Sequence, residues 1–82
     1  MQNDQEDSLT AMEHRILDED ARLQGLRPGP RERFIREQIG ISPTRYYQIR
    51  NALLDSPAAL RYAPLLINRL NRQREANRRK YW

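Results

Sequence analysis

The chain has no cysteine, so disulfides, iron–sulfur clusters and Cys-ligated zinc are excluded. It has a single histidine, His14, and a zinc site would have to be built from carboxylates. Long apolar runs are missing as well. The longest, Leu65-Leu66-Ile67, is far short of the roughly 20 residues that span a bilayer. The first ten residues, MQNDQEDSLT, are acidic and carry no apolar segment, so they do not read as a secretory signal, and a reducing cytoplasmic location is expected. Lysine is nearly absent: Lys80 stands alone among fifteen basic residues, the other fourteen being arginine. No period-two alternation of the kind strands require occurs anywhere.

Charge dominates what remains. Charged residues make up 32% of the chain against 38% hydrophobic, the mean hydropathy is −1.00 and the net charge is +4. Residues 1–20 hold seven acids and one base, whereas residues 21–82 hold fourteen bases and four acids. Arginine suits phosphate recognition because its planar fork of donors matches two oxygens at once. Eighty-two residues form one small domain that buries only about 60–65% of its unfolded surface. Such a domain has room for a helical core but not for a deep catalytic cleft. Asp18, Glu19 and Asp20 are consecutive and splay around a helix. No Ser-His-Asp set, phosphate loop or metal-ligand cluster is present, so an enzyme is not expected, and neither is a cofactor or a small-molecule substrate.

The pattern predicts a compact all-α domain of four to five helices with a helix-turn-helix core and a basic C-terminal helix. An acidic disordered tail (1–7), a helical domain (8–70) and a basic extension (71–82) divide the chain. Ser8 is read as the cap of a first helix over about 9–24, with Leu9, Met12, Ile16, Leu17 and Leu23 as its apolar stripe and Gly25 as its stop. LRPGP makes a stiff turn, and Pro30 begins a second helix to Ile39 with Phe34, Ile35 and Ile39 inward. Gly40 turns the chain, Ser42 caps and Pro43 opens a third helix to Leu54, with Tyr46, Ile49, Leu53 and Leu54 inward. Asp55-Ser56-Pro57 signals a short helical turn over 57–61. Pro64 begins the last helix, anchored by Leu65, Leu66, Ile67 and Leu70.

Residues 32–51, ERFIREQIGISPTRYYQIRN, have helix-turn-helix spacing, which leaves one face of the second helix free for a major groove. The base-contact candidates are Thr44, Arg45, Gln48 and Asn51: glutamine pairs bidentately with adenine, arginine with guanine, and a threonine methyl meets a thymine methyl. Phosphate-contact candidates are Ser42 at the helix N-terminus, Tyr47, Arg50, and the C-terminal run Arg69, Arg72, Arg74, Arg78, Arg79 and Lys80. Arg45 and Arg50 have a competing role as partners of Glu32 and Glu37. Arg36 stands where a small residue usually lets the two helices of such a motif approach. His14 reads as a plain surface residue. Tyr81 and Trp82 could stack on bases, dock on the core or contact a protein.

At TRYYQIRNALLDSPAAL the chain resembles a small actinobacterial family of uncharacterised proteins with a Ser-x-Thr-Arg-Tyr-Tyr-Gln helix. Ser42, Thr44, Arg45, Tyr46, Tyr47 and Gln48 carry the likeness, followed by Asn51, Leu53, Asp55, Pro57 and Leu60. The family pattern has aromatic residues at the end of the first helix, where this chain has Arg22 and Leu23. The resemblance implies an all-α domain with a helix-turn-helix core and a regulatory role, and supplies neither a reaction nor a ligand. Two functions follow as expectations. One is a double-stranded-DNA-binding transcriptional regulator, paired as a homodimer or with a protein partner. The other is a helical protein-interaction module that acts on a regulator or on the transcription machinery without reading DNA. RNA is a further possible target, since arginine-rich helices also grip it.

Overall fold

The computed structural model describes residues 8–80, and their side chains through Arg78. The acidic tail 1–7, and Tyr81 and Trp82, lie outside the described residues. Five helices follow one another, with no strand among the described residues: α1 (Ala11–Gln24), α2 (Pro28–Phe34), α3 (Pro43–Leu53), α4 (Pro57–Tyr62) and α5 (Pro64–Lys80). A π-helical turn, Ile35–Ile39, continues α2. No helix among the described residues is long and apolar enough to cross a membrane.

Local chemistry sets the boundaries. The first helix starts at Thr10, not Ser8, because Thr10 closes a reciprocal capping box. The Glu13 N–H donates to Thr10 Oγ1 (3.0 Å) and the Thr10 N–H donates to Glu13 Oε1 (2.8 Å). Ser8 has Ala11 three residues on, which has no acceptor to return the bond. Gly25 ends the helix, as expected, but in a right-handed conformation (φ −81°, ψ −8°). The second helix begins at Pro28, two residues earlier than expected. Pro28, Gly29 and Pro30 all fall in the first turn, where no N–H has an intrahelical acceptor, so two prolines cost no hydrogen bonds. Pro43, Pro57 and Pro64 open three further helices in the same way. Ser42 and Ser56 cap α3 and α4 by accepting from the N–H groups of Arg45 (3.1 Å) and Ala59 (3.2 Å).

The turn between α2 and α3 has two unusual parts. Gly40 N–H reaches back five residues to Ile35 C=O (2.8 Å), which widens the last turn. Gly40 itself has φ +90°, a left-handed conformation that costs glycine little and most residues more. Arg36 points outward, with its Nη1 4.0 Å from Glu32 Oε1, and the inward contacts of this segment come from Ile35 and Ile39. Its bulk therefore does not obstruct the approach of α3.

One core joins all the helices, α2 through the partly buried Phe34 at its end. Ile16, Leu17 and Leu23 of α1 meet Ile35 and Ile39 of the π turn, Tyr46 and Leu53 of α3, Ala59 of α4, and Ile67 and Leu70 of α5, with Leu54 beside them. Leu23 takes its place without an aromatic ring, while the Arg22 guanidinium packs 4.7 Å from the centre of Phe34. Leu65 departs from expectation: it is 84% exposed and anchors nothing. On α5 the inward stripe is Leu66, Ile67 and Leu70, and Leu65 lies about 200° around the helix from Ile67 at 100° per residue. His14 is not a plain surface residue either. It is half-buried, its ring edge-on to Tyr62 at 4.7 Å, and Tyr62 Oη donates to Asp18 Oδ1 at 2.7 Å.

Candidate nucleic-acid interface

The third helix is held from its buried side by a polar cluster. Asp20 is fully buried, and its Oδ1 accepts from Tyr46 Oη (2.8 Å) and Gln24 Nε2 (3.3 Å). Arg50 Nε lies 3.0 Å from the same oxygen, within ion-pair distance although its N–H is not aimed along that line. Burial, and then the neighbouring Asp20 charge and hydrogen bond, push the Tyr46 hydroxyl far above an ordinary tyrosine, with Arg50 opposing the shift. A carboxylate removed from water costs several kcal/mol unless it is paired; here the three partners converge on Oδ1, and the buried Oδ2 accepts no hydrogen bond among the described residues. The cluster fixes the rotation of α3 against α1, and with it the face α3 turns outward.

That outward face is continuous. At 100° per residue Thr44, Gln48 and Asn51 fall within an arc of about 60°, with Arg45 beside them. All four are exposed, and no acidic residue occurs between Ser42 and Leu54. The helix end is less rich in donors than expected, since Pro43 has no N–H and that of Arg45 is taken by Ser42.

Two of the phosphate-contact candidates are turned to internal work. Arg50 has a side chain only 15% exposed and is paired with Asp20, and neither Glu32 nor Glu37 is its partner. Tyr47 is half-buried. Its hydroxyl accepts from Arg31 Nη1 (3.2 Å), while Arg31 Nη2 donates to Leu26 C=O (3.1 Å), so Arg31 clips α3 to the α1–α2 loop. The Arg50 guanidinium also lies 5.5 Å from the Tyr47 ring centre. Arg45 has no ion pair among the described residues.

The C-terminal arginines do not form one arm. Helical spacing puts Arg69 and Arg72 on one side of α5 and Arg74 and Arg78 nearly opposite. Arg74 Nη2 is 3.1 Å from Asp55 Oδ1, and Arg78 Nη1 is 3.6 Å from Glu75 Oε1. Arg79 and Lys80 continue the helix, with side chains outside the described set. Asn71 Nδ2 donates to Leu54 C=O (3.3 Å) and ties the second turn of α5 to the end of α3. Beyond this tie the helices bound an open cleft of about 590 Å³, lined by Gln24, Arg50, Asn51, Leu54, Leu70, Gln73, Arg74, Asn77 and Arg78. Asn51, Arg50, Arg74 and Arg78 are thus brought together, whereas Thr44, Arg45 and Gln48 lie outside the cleft.

A family model for a protein family of unknown function, DUF3263, matches residues 8–81. The chain belongs to the DUF3263 family. The match takes in every described residue of this DUF3263 chain, so the Asp20 cluster, the outward face of α3 and the α3–α5 cleft all lie within the family's domain. No curated protein and no solved structure matches it.

Sequence reasoning missed Asp20, Gln24, Gln73 and Asn77. For Asp20 a signal was present: it stands four residues after Ile16 and three before Leu23, on the apolar stripe itself. A carboxylate in that register has to find buried partners.

Proposed function

We propose that this protein binds duplex DNA as a small transcriptional regulator, with α3 as the helix that enters the major groove. The observation that carries the reading is the outward face of α3. Thr44, Arg45, Gln48 and Asn51 stand exposed and free of carboxylates on a helix whose rotation is held by the Asp20 cluster. Arg69, Arg72, Arg74, Arg78, Arg79 and Lys80 contribute phosphate contacts, while Tyr47 and Arg50 serve as supports. In this reading α2 and α3 with the Gly40 turn are a helix-turn-helix, as the likeness to a small actinobacterial family of uncharacterised proteins implies. A recognition helix about 17 Å long (11 residues at 1.5 Å rise) addresses few base pairs, so specificity calls for a second copy on a two-fold site or for a protein partner.

Selection from random duplexes at two salt concentrations, with Gln48→Ala alongside, tests the reading. The variant is expected to lose about 1–3 kcal/mol at selected bases and little elsewhere. Equal loss on every sequence would remove Gln48 from base readout.

A second reading, a protein-interaction module without DNA readout, draws on the exposed apolar groups where α4 meets α5: Leu60 (44% exposed) and Leu65. Heparin chromatography separates the two. A DNA binder elutes late with a steep salt dependence, and a protein module elutes early.

A further inference from the structure

We infer that the cleft between α3 and α5 is a binding site for a phosphoryl group. After Leu70 the last helix carries no buried residue through Arg78, yet it stays helical to Lys80. Tertiary packing supplies most of the stability of a helix in a protein, and this end has little of it. Here it forms a wall. Gln73, Arg74, Asn77 and Arg78 make one stripe along it, and Arg50 and Asn51 stand across the gap on α3.

The lining decides the ligand class. The exposed guanidiniums of Arg74 and Arg78, the edge of the Asp20-paired Arg50 and several side-chain amides line the space, and no carboxylate does. Asp20, Asp55 and Glu75 each hold one of the arginines from outside the lining. The Arg74 and Arg78 pairs are solvent-exposed, and such pairs are worth at most about 1 kcal/mol. A guanidinium has five N–H donors, so one carboxylate leaves several unused. A tetrahedral group with three terminal oxygens takes donors from both walls at once, which a planar carboxylate does less well. The phosphoryl group belongs either to a DNA backbone that passes beside α3 or to a free nucleotide. The site shares only Asn51 with the proposed base-reading face of α3, since Thr44, Arg45 and Gln48 are not part of it.

The test follows the side-chain amide NMR signals of Gln73 and Asn77 in the full chain. Pyrophosphate, AMP, a mixed-sequence duplex and poly-glutamate are titrated separately. The expected result is movement of both signals with at least one phosphoryl probe and none with poly-glutamate. That movement should vanish in Arg74→Ala/Arg78→Ala and survive in Arg33→Ala/Arg61→Ala, which removes the same charge from α2 and α4, outside the cleft and outside the proposed phosphate contacts. All four substituted side chains are exposed, and circular dichroism checks that each variant is folded.

Movement with duplex alone assigns the phosphoryl group to the backbone. The Arg74→Ala/Arg78→Ala variant should then lower the salt slope of duplex binding by about 1.8 log units per log of salt, from about 0.9 per phosphate contact. Movement with pyrophosphate or AMP while the duplex does not bind keeps the site and defeats the DNA reading. Duplex binding that leaves Gln73 and Asn77 unmoved, with no response to the free probes, overturns the site and spares the DNA reading. Equal movement with poly-glutamate overturns the phosphoryl assignment, as does survival of the response in Arg74→Ala/Arg78→Ala.

Discussion

Replacing Tyr46 with phenylalanine removes one oxygen and leaves the ring that fills the core. The missing hydroxyl is the 2.8 Å donor to Asp20, so the buried carboxylate keeps only Gln24 at 3.3 Å and Arg50 Nε at 3.0 Å. Hydrogen bonds to charged groups contribute about 1.5–3 kcal/mol. A domain of this size has about 4–12 kcal/mol of stability in all, and each kcal/mol moves the melting temperature by about 4–8 °C. Tyr46→Phe should therefore melt about 10 °C lower at neutral pH, within those ranges. The alkaline side sharpens the test. In the unfolded chain the tyrosine releases its proton near pH 10, and in the folded chain it holds it to much higher pH. A group whose folded pKa is raised contributes stability that is whole below the unfolded value and is lost above it. The wild-type protein should lose about 1.4 kcal/mol per pH unit above pH 10 through this group, and the variant should not. Urea unfolding followed by circular dichroism should show the gap between the two proteins narrowing from pH 10 upward. A variant as stable as wild type at neutral pH, or a gap that stays constant with rising pH, would refute this account of the cluster.

The glycines give a paired test. Gly40→Ala should cost about 1–2 kcal/mol from the left-handed backbone alone, since an added Cβ meets nothing within 4 Å. Gly29→Ala in α2, where the space is equally open and no positive φ occurs, should stabilise by about 0.4–1 kcal/mol. Thermal melts of both variants should move in opposite directions. Leu65→Asn should change stability by no more than about 0.5 kcal/mol, whereas Ile67→Ala, two residues on, should cost about 2–5 kcal/mol by urea titration.

The all-α class and the succession of elements were legible because proline, serine and glycine act locally. A cap or a missing N–H works within three or four residues, and those signals stand in the sequence itself. Boundaries shifted where two local signals competed, as at Ser8 and Thr10, or where a second proline found room in a first turn. Register on α5 was harder: three consecutive apolar residues, Leu65 to Ile67, cannot all face one way, and only packing decides which is turned out. The candidate face of α3 could be read from periodicity. The internal roles of Arg50 and Tyr47 could not, because their partners Asp20 and Arg31 are 30 and 16 residues away in the chain. The cleft amides likewise acquire meaning only when α5 is set against α3.

The widened turn at Ile35–Ile39 holds one residue more than a regular helix would need to reach Gly40. Glu37 and Gln38 within it are exposed and make no core contact. Loss of either would close the turn to regular α-helical geometry, with the Gly40 N–H still bonded to the Ile35 carbonyl, now four residues back. The surplus residue is a length this segment can give up without turning α3. A single-codon deletion there should leave the Gly40 exit and the buried isoleucines on either side in place.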